Sequence, residues 1–447
     1  MTDVQEKPWF LTGNYAPIGS ETTAHDLDVT GSLPPGLSGR YLRNGSNPAR
    51  GAAAHWFFGD GMVHGIRLEG GRATWYRSRW VRTTKLEKGL EATDEASMFD
   101  PTASAANTHV LAHAGRIWAL EEGHLPYELS PDLDTVGPDD FGGRLTTAFT
   151  AHPKRCPETG ELHFFGYGVM PPYLTYHVLD ASGDLVHSAP ITVPGPTMMH
   201  DFMITREHAI FMDLPVVFDL DALGRGEVPL HWDDDYGARI GVLPRFGTDR
   251  EVRWFEVDPC YVFHPLNAYD DGDRVVLDVV RHDRMFDQAR LGPDEGPPAL
   301  CRWTVDPAAG VVKEERLDDR PAEFPRVDER VVGRPHRYGW AASLTMSDDG
   351  LGFDGSAVVK YDLERGTSER HELGTGCSTG EAVFIPSAPE APEDDGWVMS
   401  LVYDATTDRS DLVILAATDI TGEPVATVHL PQRVPYGFHG NWVPDQV

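Results

Sequence analysis

The chain has 447 residues, of which 40% are hydrophobic and 24% charged, and its formal net charge is −32. So acidic a surface repels phosphate backbones, which excludes nucleic acid as a partner and leaves at most weak peripheral membrane contact during substrate uptake. Glycine and proline number 45 and 35, above average usage, and mark a turn-rich, mostly β chain.

The N-terminal run Met1 to Phe10 shows no basic-then-apolar leader pattern, and no apolar run approaches the ~18 residues of a membrane span. Asn44-Gly45-Ser46 has the form of a glycosylation sequon but reads as a turn. Trp56-Phe57-Phe58 and Arg116 to Leu120 read as strands. Lys85 to Met98 is the best helical pattern. Further strands are expected at Arg274 to Val280 and Leu412 to Leu415, with a surface loop at Ser387 to Asp395. Cys156, Cys260, Cys301 and Cys377 form no Cys-x-x-Cys pair and read as isolated thiols, consistent with a cytoplasmic protein. No linker divides the chain, so residues 1–447 are expected to form one domain.

One turn recurs: a strand, an acidic residue, two to four turn residues with glycine, then another strand. It begins at Glu69, Asp180, Asp306, Asp362 and Asp419, with spacings of 111, 126, 56 and 57 residues. Two are single steps and two are double, which makes seven units. Multi-stranded repeats of this size suggest propeller blades. Ordinary hairpins in a sandwich could carry the same turn.

Four histidines stand in short apolar or turn contexts: His152 in Ala-His-Pro, His200 in Met-Met-His-Asp-Phe, His264 in Phe-His-Pro and His439 in Gly-Phe-His-Gly. In each case a strand is expected to end at the imidazole. Their gaps of 48, 64 and 175 residues let only a closed fold with a central meeting point unite them. Imidazole suits iron, zinc, copper and nickel alike. Four neutral imidazoles leave a metal its full charge and, at six-coordination, two open positions. That suits binding of dioxygen or substrate rather than structural closure.

Two other motifs are set aside. His231-Trp232-Asp233 matches the start of a two-His-one-carboxylate site but runs into Asp234 and Asp235 and reads as a solvated loop. Gly376-Cys377-Ser378-Thr379-Gly380 has the nucleophile-elbow pattern, yet a strand rather than a helix is expected after it.

The chain resembles the carotenoid cleavage oxygenases, a family that includes apocarotenoid- and stilbene-cleaving dioxygenases. The resemblance runs through Leu33 to Gly45, Gly59 to His64, Trp80 to Thr83, Ala119 to Glu122, the four histidine segments and Phe438 to Trp442. It implies an all-β, seven-bladed propeller with a helical and loop dome over one face, enclosing a hydrophobic tunnel. It also implies one non-haem Fe(2+) per chain on the four histidines, with dioxygen as co-substrate. By the same resemblance Glu122, Glu323 and Glu381 hydrogen-bond to the remote nitrogens of metal-bound imidazoles, which fixes the tautomer and strengthens the donor. Thr108 matches a position that crowds one open metal site, and Phe57 an aromatic near the scissile bond; plain core packing also accounts for Phe57.

The expected reaction is cleavage of one C=C bond of a hydrophobic conjugated substrate to two carbonyl products. In the stilbene-cleaving branch a lysine precedes the first of the three glutamates and contacts a phenolic oxygen. Here that residue is Glu121, which argues against hydroxystilbenes and for a carotenoid or apocarotenoid. Stilbene or phenylpropenoid cleavage is the alternative on the same scaffold, and a non-catalytic propeller platform is the alternative of another class. Oligomeric state has no signature in the sequence.

Overall fold

Arg274–His282 shows why the strands form. Val275, Val276, Leu277, Val279 and Val280 are all buried, so this β-branched run is interior on both faces. The buried Asp278 is held by Arg302 Nε and Nη2 at 2.7 and 2.8 Å, so its charge is not stranded. On the far edge of the same sheet, Val311–Asp318 exposes Lys313, Glu314, Glu315 and Arg316. A charged edge of this kind discourages addition of a further strand.

The computed structural model describes residues 7–219, 221, 222, 225, 228–288, 295–347, 350–352 and 355–445. Among these, seven antiparallel sheets of four to six strands follow one another, with two two-stranded ribbons added. They are the seven blades of a propeller. Blade I holds Gly39–Ser46, Gly61–Glu69 and Arg72–Trp80. Blade II runs from His109–His113 to Thr135–Pro138, blade III from Lys154–Arg155 to Leu185–Ile191, and blade IV from Phe202–Ile204 to Arg253–Glu256. Blade V runs from Tyr261–Asp271 to Val311–Asp318, and blade VI from Ala322–Arg326 to Thr367–Glu372. Blade VII begins with Cys377–Thr379 and Val383–Pro386 and includes Gly396–Asp404, Arg409–Ala416 and Ala426–His429.

The ring closes twice. Gly440–Pro444, near the C-terminus, pairs with Gly39–Ser46 as the inner strand of blade I. Val29–Gly31, near the N-terminus, pairs with Ala426–His429 at the outer edge of blade VII. Apolar side chains pack between adjacent blades. Trp340 of blade VI stacks on Phe384 of blade VII with ring centroids 4.4 Å apart.

The five acid–glycine turns all join the third and fourth strands of a blade, in blades I, III, V, VI and VII. The two double steps fall on blades II and IV. Blade II makes its turn with Leu133 at φ 72°, where the pattern elsewhere uses glycine, as Gly183 does at φ 83°. Blade IV uses a longer link containing a 3-10 turn, Asp249–Glu251, closed by a Thr248–Glu251 capping box.

Several local expectations are corrected. Trp56–Phe58 is a 3-10 turn, not a strand. The helix expected from Lys85 to Met98 is two short helices, α1 (Thr84–Lys88) and α2 (Glu95–Phe99), because Gly89 ends α1 in the left-handed region. The helical part of the expected dome is thus minor. Asn44-Gly45-Ser46 lies inside a buried strand, not a turn. The Ser387 to Asp395 loop is pinned by Glu393, which accepts from the backbone N–H groups of Arg337 and Tyr338. All four cysteines are free thiols. Among the described residues no helix is long and apolar enough to cross a membrane.

Candidate metal centre

Each blade delivers one residue to the axis near the start of its inner strand. His152, His200 and His439 lie one or two residues ahead of Lys154–Arg155, Phe202–Ile204 and Gly440–Pro444. His264 lies within Tyr261–Asp271, where the pairing register shifts between Val262 and Pro265. Strands thus begin just after three of these imidazoles and run through the fourth, His264, rather than ending there. Blade VI supplies Glu323, blade VII Glu381, and blade II Thr108 and His109. From His152 through His200, His264, Glu323 and Glu381 to His439 the steps are 48, 64, 59, 58 and 58 residues, one blade each.

The four histidines are buried, and their donor nitrogens lie within 4.8 Å of one another. His264 Nδ1 donates to Glu323 Oε2 at 2.6 Å, and His439 Nδ1 to Glu381 Oε1 at 2.9 Å. His200 Nδ1 lies 2.5 Å from Glu122 Oε1. With their protons on Nδ1, these rings turn Nε2 lone pairs toward the centre. His200 Nε2 and His264 Nε2 then face each other at 3.2 Å, and His152 Nε2 is buried without a partner. Lone pairs converging in a dry site need a cation between them. Metal–imidazole bonds of about 2.0–2.1 Å, as for zinc, place opposite donors roughly 4.2 Å apart, so a first-row ion fits these residues.

The electrostatics agree with ligation. Burial and the other three imidazoles hold His152 well below its ordinary value. Burial also holds His439 well below, despite the nearby Glu381. A neutral imidazole is the form that binds metal. His264 is pushed the other way: burial lowers it, but the charge and hydrogen bond of Glu323 outweigh burial. Burial alone would raise Glu323 and Glu381. His264 and His282 hold the first down instead, and Arg326 and His439 the second.

The three carboxylates have three different outer partners, none of which the sequence reading found. Tyr167 donates its hydroxyl to Glu122 Oε2 at 2.6 Å. His282 Nε2 donates to Glu323 Oε1 at 3.1 Å. Arg326 Nη1 lies 3.1 Å from Glu381 Oε2. His152 has no such carboxylate; Asp201 Oδ2 stands 3.7 Å from its Nδ1, and Asp201 is itself paired through Oδ1 with Lys154 at 2.8 Å. A fifth buried imidazole, His109, approaches His439 with ring centroids 5.3 Å apart. Both its nitrogens are engaged, by Ala151 O and the Asn441 amide, and burial lowers it to about 4. Only the strand register identifies these groups, since each sits tens of residues from its partner.

A cavity of about 290 Å³ opens directly from the histidines. Trp56, Phe57, Phe263, Phe324 and Phe438 give it an aromatic wall. Thr108 lines it beside the histidines and fixes His439, whose N–H donates to Thr108 O at 3.0 Å. Phe57 packs on Phe438 and Phe286 and also faces the cavity.

Glu121 lines the cavity too, but not as a lone acid. It accepts from His124 Nδ1 at 2.7 Å, Gly123 N at 2.6 Å and Ser104 Oγ at 3.1 Å. Burial by itself would lower His124; the charge and hydrogen bond of Glu121, with the Ser97 carbonyl, raise it to about 9. The pair is ionised and mutually neutralised. Glu121 therefore does not face the cavity as a lone negative charge.

Neither motif set aside joins the centre. His231 lies in the strand Leu230–Trp232, paired with Val216–Phe218, rather than in a solvated loop. Cys377 to Thr379 form a strand, so no nucleophile elbow exists there.

Comparison with known proteins agrees with this geometry. The family profile described as RPE65, retinal pigment epithelial membrane protein, matches residues 15–444. A carotenoid cleavage oxygenase of Mycobacterium tuberculosis is 41% identical, over 97% of each chain. Carotenoid 9,10(9',10')-cleavage dioxygenase 1 of Arabidopsis thaliana is 36% identical, over 98% of this chain and 90% of that one. Among solved structures, Pseudomonas brassicacearum lignostilbene dioxygenase superposes with a TM-score of 0.89 at 29% identity, covering 97% of this chain and 98% of that one. Cobalt-substituted Synechocystis ACO gives 0.86 at 31% identity, covering 98% of each chain. The chain belongs to the carotenoid cleavage oxygenase family and is an enzyme of the dioxygenase type.

Proposed function

We propose that this enzyme uses Fe(2+) and dioxygen to cleave one C=C bond of a carotenoid or apocarotenoid into two carbonyl products. The observation that carries the reading is the convergence of four Nε2 atoms, on His152, His200, His264 and His439, at the inner end of an aromatic cavity. A ferrous ion held there supplies the redox chemistry by which dioxygen is divided across a double bond. The protein's own work is to hold, orient and exclude. Glu323 and Glu381 lock two imidazoles in the ligating tautomer, and Glu122 stands against the Nδ1 of a third, His200. Their three negative charges, with Arg326, balance a divalent ion without occupying its coordination positions. Thr108 narrows the space beside the ligands, and Phe57 with its aromatic neighbours orients the conjugated chain and keeps water out. Among the described residues, Lys85, Glu121, Glu122 and Glu323, which line the cavity, are each held in a pair.

The names of the relatives at 41% and 36% identity support a carotenoid-type substrate. Stilbene cleavage is retained as a second reading on one observation. His124 neutralises Glu121, so a phenol is not repelled. Incubating the iron-loaded protein with carotenoids, apocarotenoids and hydroxystilbenes, and weighing the products, separates the readings. Carbonyl fragments from a polyene support the first. Fragments from hydroxystilbenes alone overturn it.

A further inference from the structure

We propose that the Ser97 hydroxyl and the Glu121 carboxylate form a seat for an alcohol group on one end of the substrate. The preferred substrate is then a hydroxylated conjugated chain, not a hydrocarbon. This rests on the dioxygenase reading and adds the substrate class.

Ser97 lies in α2 at 1% exposure, its Oγ has no hydrogen-bond partner, and the residue lines the cavity that holds the four histidines. A buried hydroxyl left unpaired destabilises the fold unless something else completes it. Glu121 lines the same cavity. Its Oε2 takes the His124 and Ser104 protons, while Oε1 takes only the Gly123 N–H and keeps an acceptor lone pair.

His124 joins the two. Its Nδ1 donates to Glu121, and its Nε2 donates to Ser97 O at 2.7 Å. Both nitrogens are thereby used, so His124 positions the seat and does not itself bind the oxygen. The chemistry of the seat selects its occupant. An alcohol donates to Glu121 and accepts from Ser97, so both groups are satisfied. A carbonyl accepts only and leaves Glu121 without a proton. A hydrocarbon end leaves the Ser97 hydroxyl unpaired and the spare Glu121 lone pair unused, which is the form of discrimination that polar sites achieve best. A carboxylate end would meet Glu121 as a like charge.

The test uses the iron-loaded enzyme and two apocarotenals that differ by one ring hydroxyl. Binding is read without oxygen from the shift in polyene absorbance, and kcat/KM is read with oxygen. The wild type is expected to favour the hydroxylated compound about tenfold in both, as for one good hydrogen bond. Ser97→Ala is expected to bring both ratios to about two or less, with no fall in Tm because the hydroxyl has no protein partner to lose. Equal binding of the two compounds by the wild type, or a preference that survives Ser97→Ala, overturns the seat. Preferential binding without cleavage of either compound keeps the seat and overturns the dioxygenase reading. Cleavage of both at equal kcat/KM does the reverse.

Discussion

Glu323→Gln separates the charge of one outer carboxylate from its shape. Glu323 is buried and accepts three hydrogen bonds: Oε2 takes the His264 Nδ1 proton at 2.6 Å and the Phe324 N–H at 2.5 Å, and Oε1 takes the His282 Nε2 proton at 3.1 Å. A glutamine can keep its oxygen on His264 and Phe324 and turn its amide toward His282. His282 accommodates this by moving its proton to Nδ1, which has no partner. The hydrogen-bond pattern survives and only the charge is lost. Loss of such a partner costs ~10–100-fold in metal affinity, or about 1.4–2.7 kcal/mol. Glu323→Ala also strands two buried donors, and breaking a buried pair costs ~3–5 kcal/mol. Iron affinity is measured anaerobically by competition with a chromophoric chelator, and stability by thermal melting of the iron-free protein. The glutamine variant is expected to bind iron tenfold to a hundredfold more weakly, about as in other outer-partner losses, with an unchanged melt. The alanine variant should melt lower. A glutamine variant with wild-type iron affinity refutes the argument that the Glu323 charge strengthens His264.

Replacing His264 or His439 by alanine should abolish turnover and reduce bound iron, read by elemental analysis, whereas His231→Ala and Ser378→Ala should stay within about twofold of wild-type kcat/KM, since neither joins the site. Glu121→Gln should drop the His124 pKa below about 9, followed by its ring proton shifts in NMR; an unmoved titration would show that Glu121 does not hold it. The same pair predicts a pH-dependent stability. His124 is raised from 6.5 to about 9 in the folded protein, so its contribution is complete below 6.5 and is lost as pH rises through 9. The loss is on the order of 3 kcal/mol, and melts between these limits should lose that slope in His124→Gln. Glu121→Lys should not convert the enzyme to hydroxystilbene cleavage: it sets a second cation against His124 and breaks three hydrogen bonds, which a lowered Tm reports.

The blades were legible where glycine marked the outer hairpin, because a left-handed turn residue leaves a visible letter. They were hidden in blade II, where Leu133 adopts that conformation, and in blade IV, where a capped 3-10 turn replaces it. The histidines were legible because one axial residue per blade imposes a step close to the repeat length. The groups behind them were not. Tyr167, His282 and Arg326 reach their glutamates from other strands, and no spacing along the chain encodes that meeting. The Glu121–His124 pair is three residues apart and could have been found. Comparison with the lysine of the stilbene-cleaving branch says nothing of this pair, which only Glu121's own neighbours reveal. Trp56–Phe58 misled because an aromatic run suits a strand as well as a cavity-lining turn.

The central claim is that four imidazoles from four blades hold one iron. X-ray absorption at the iron edge of anaerobically loaded protein tests it directly. The account predicts one iron per chain with four imidazoles, seen as their multiple-scattering pattern at about 2.1 Å, and loss of one imidazole in His152→Ala. Substoichiometric iron, or an edge dominated by carboxylate oxygens and unchanged in His152→Ala, would contradict it.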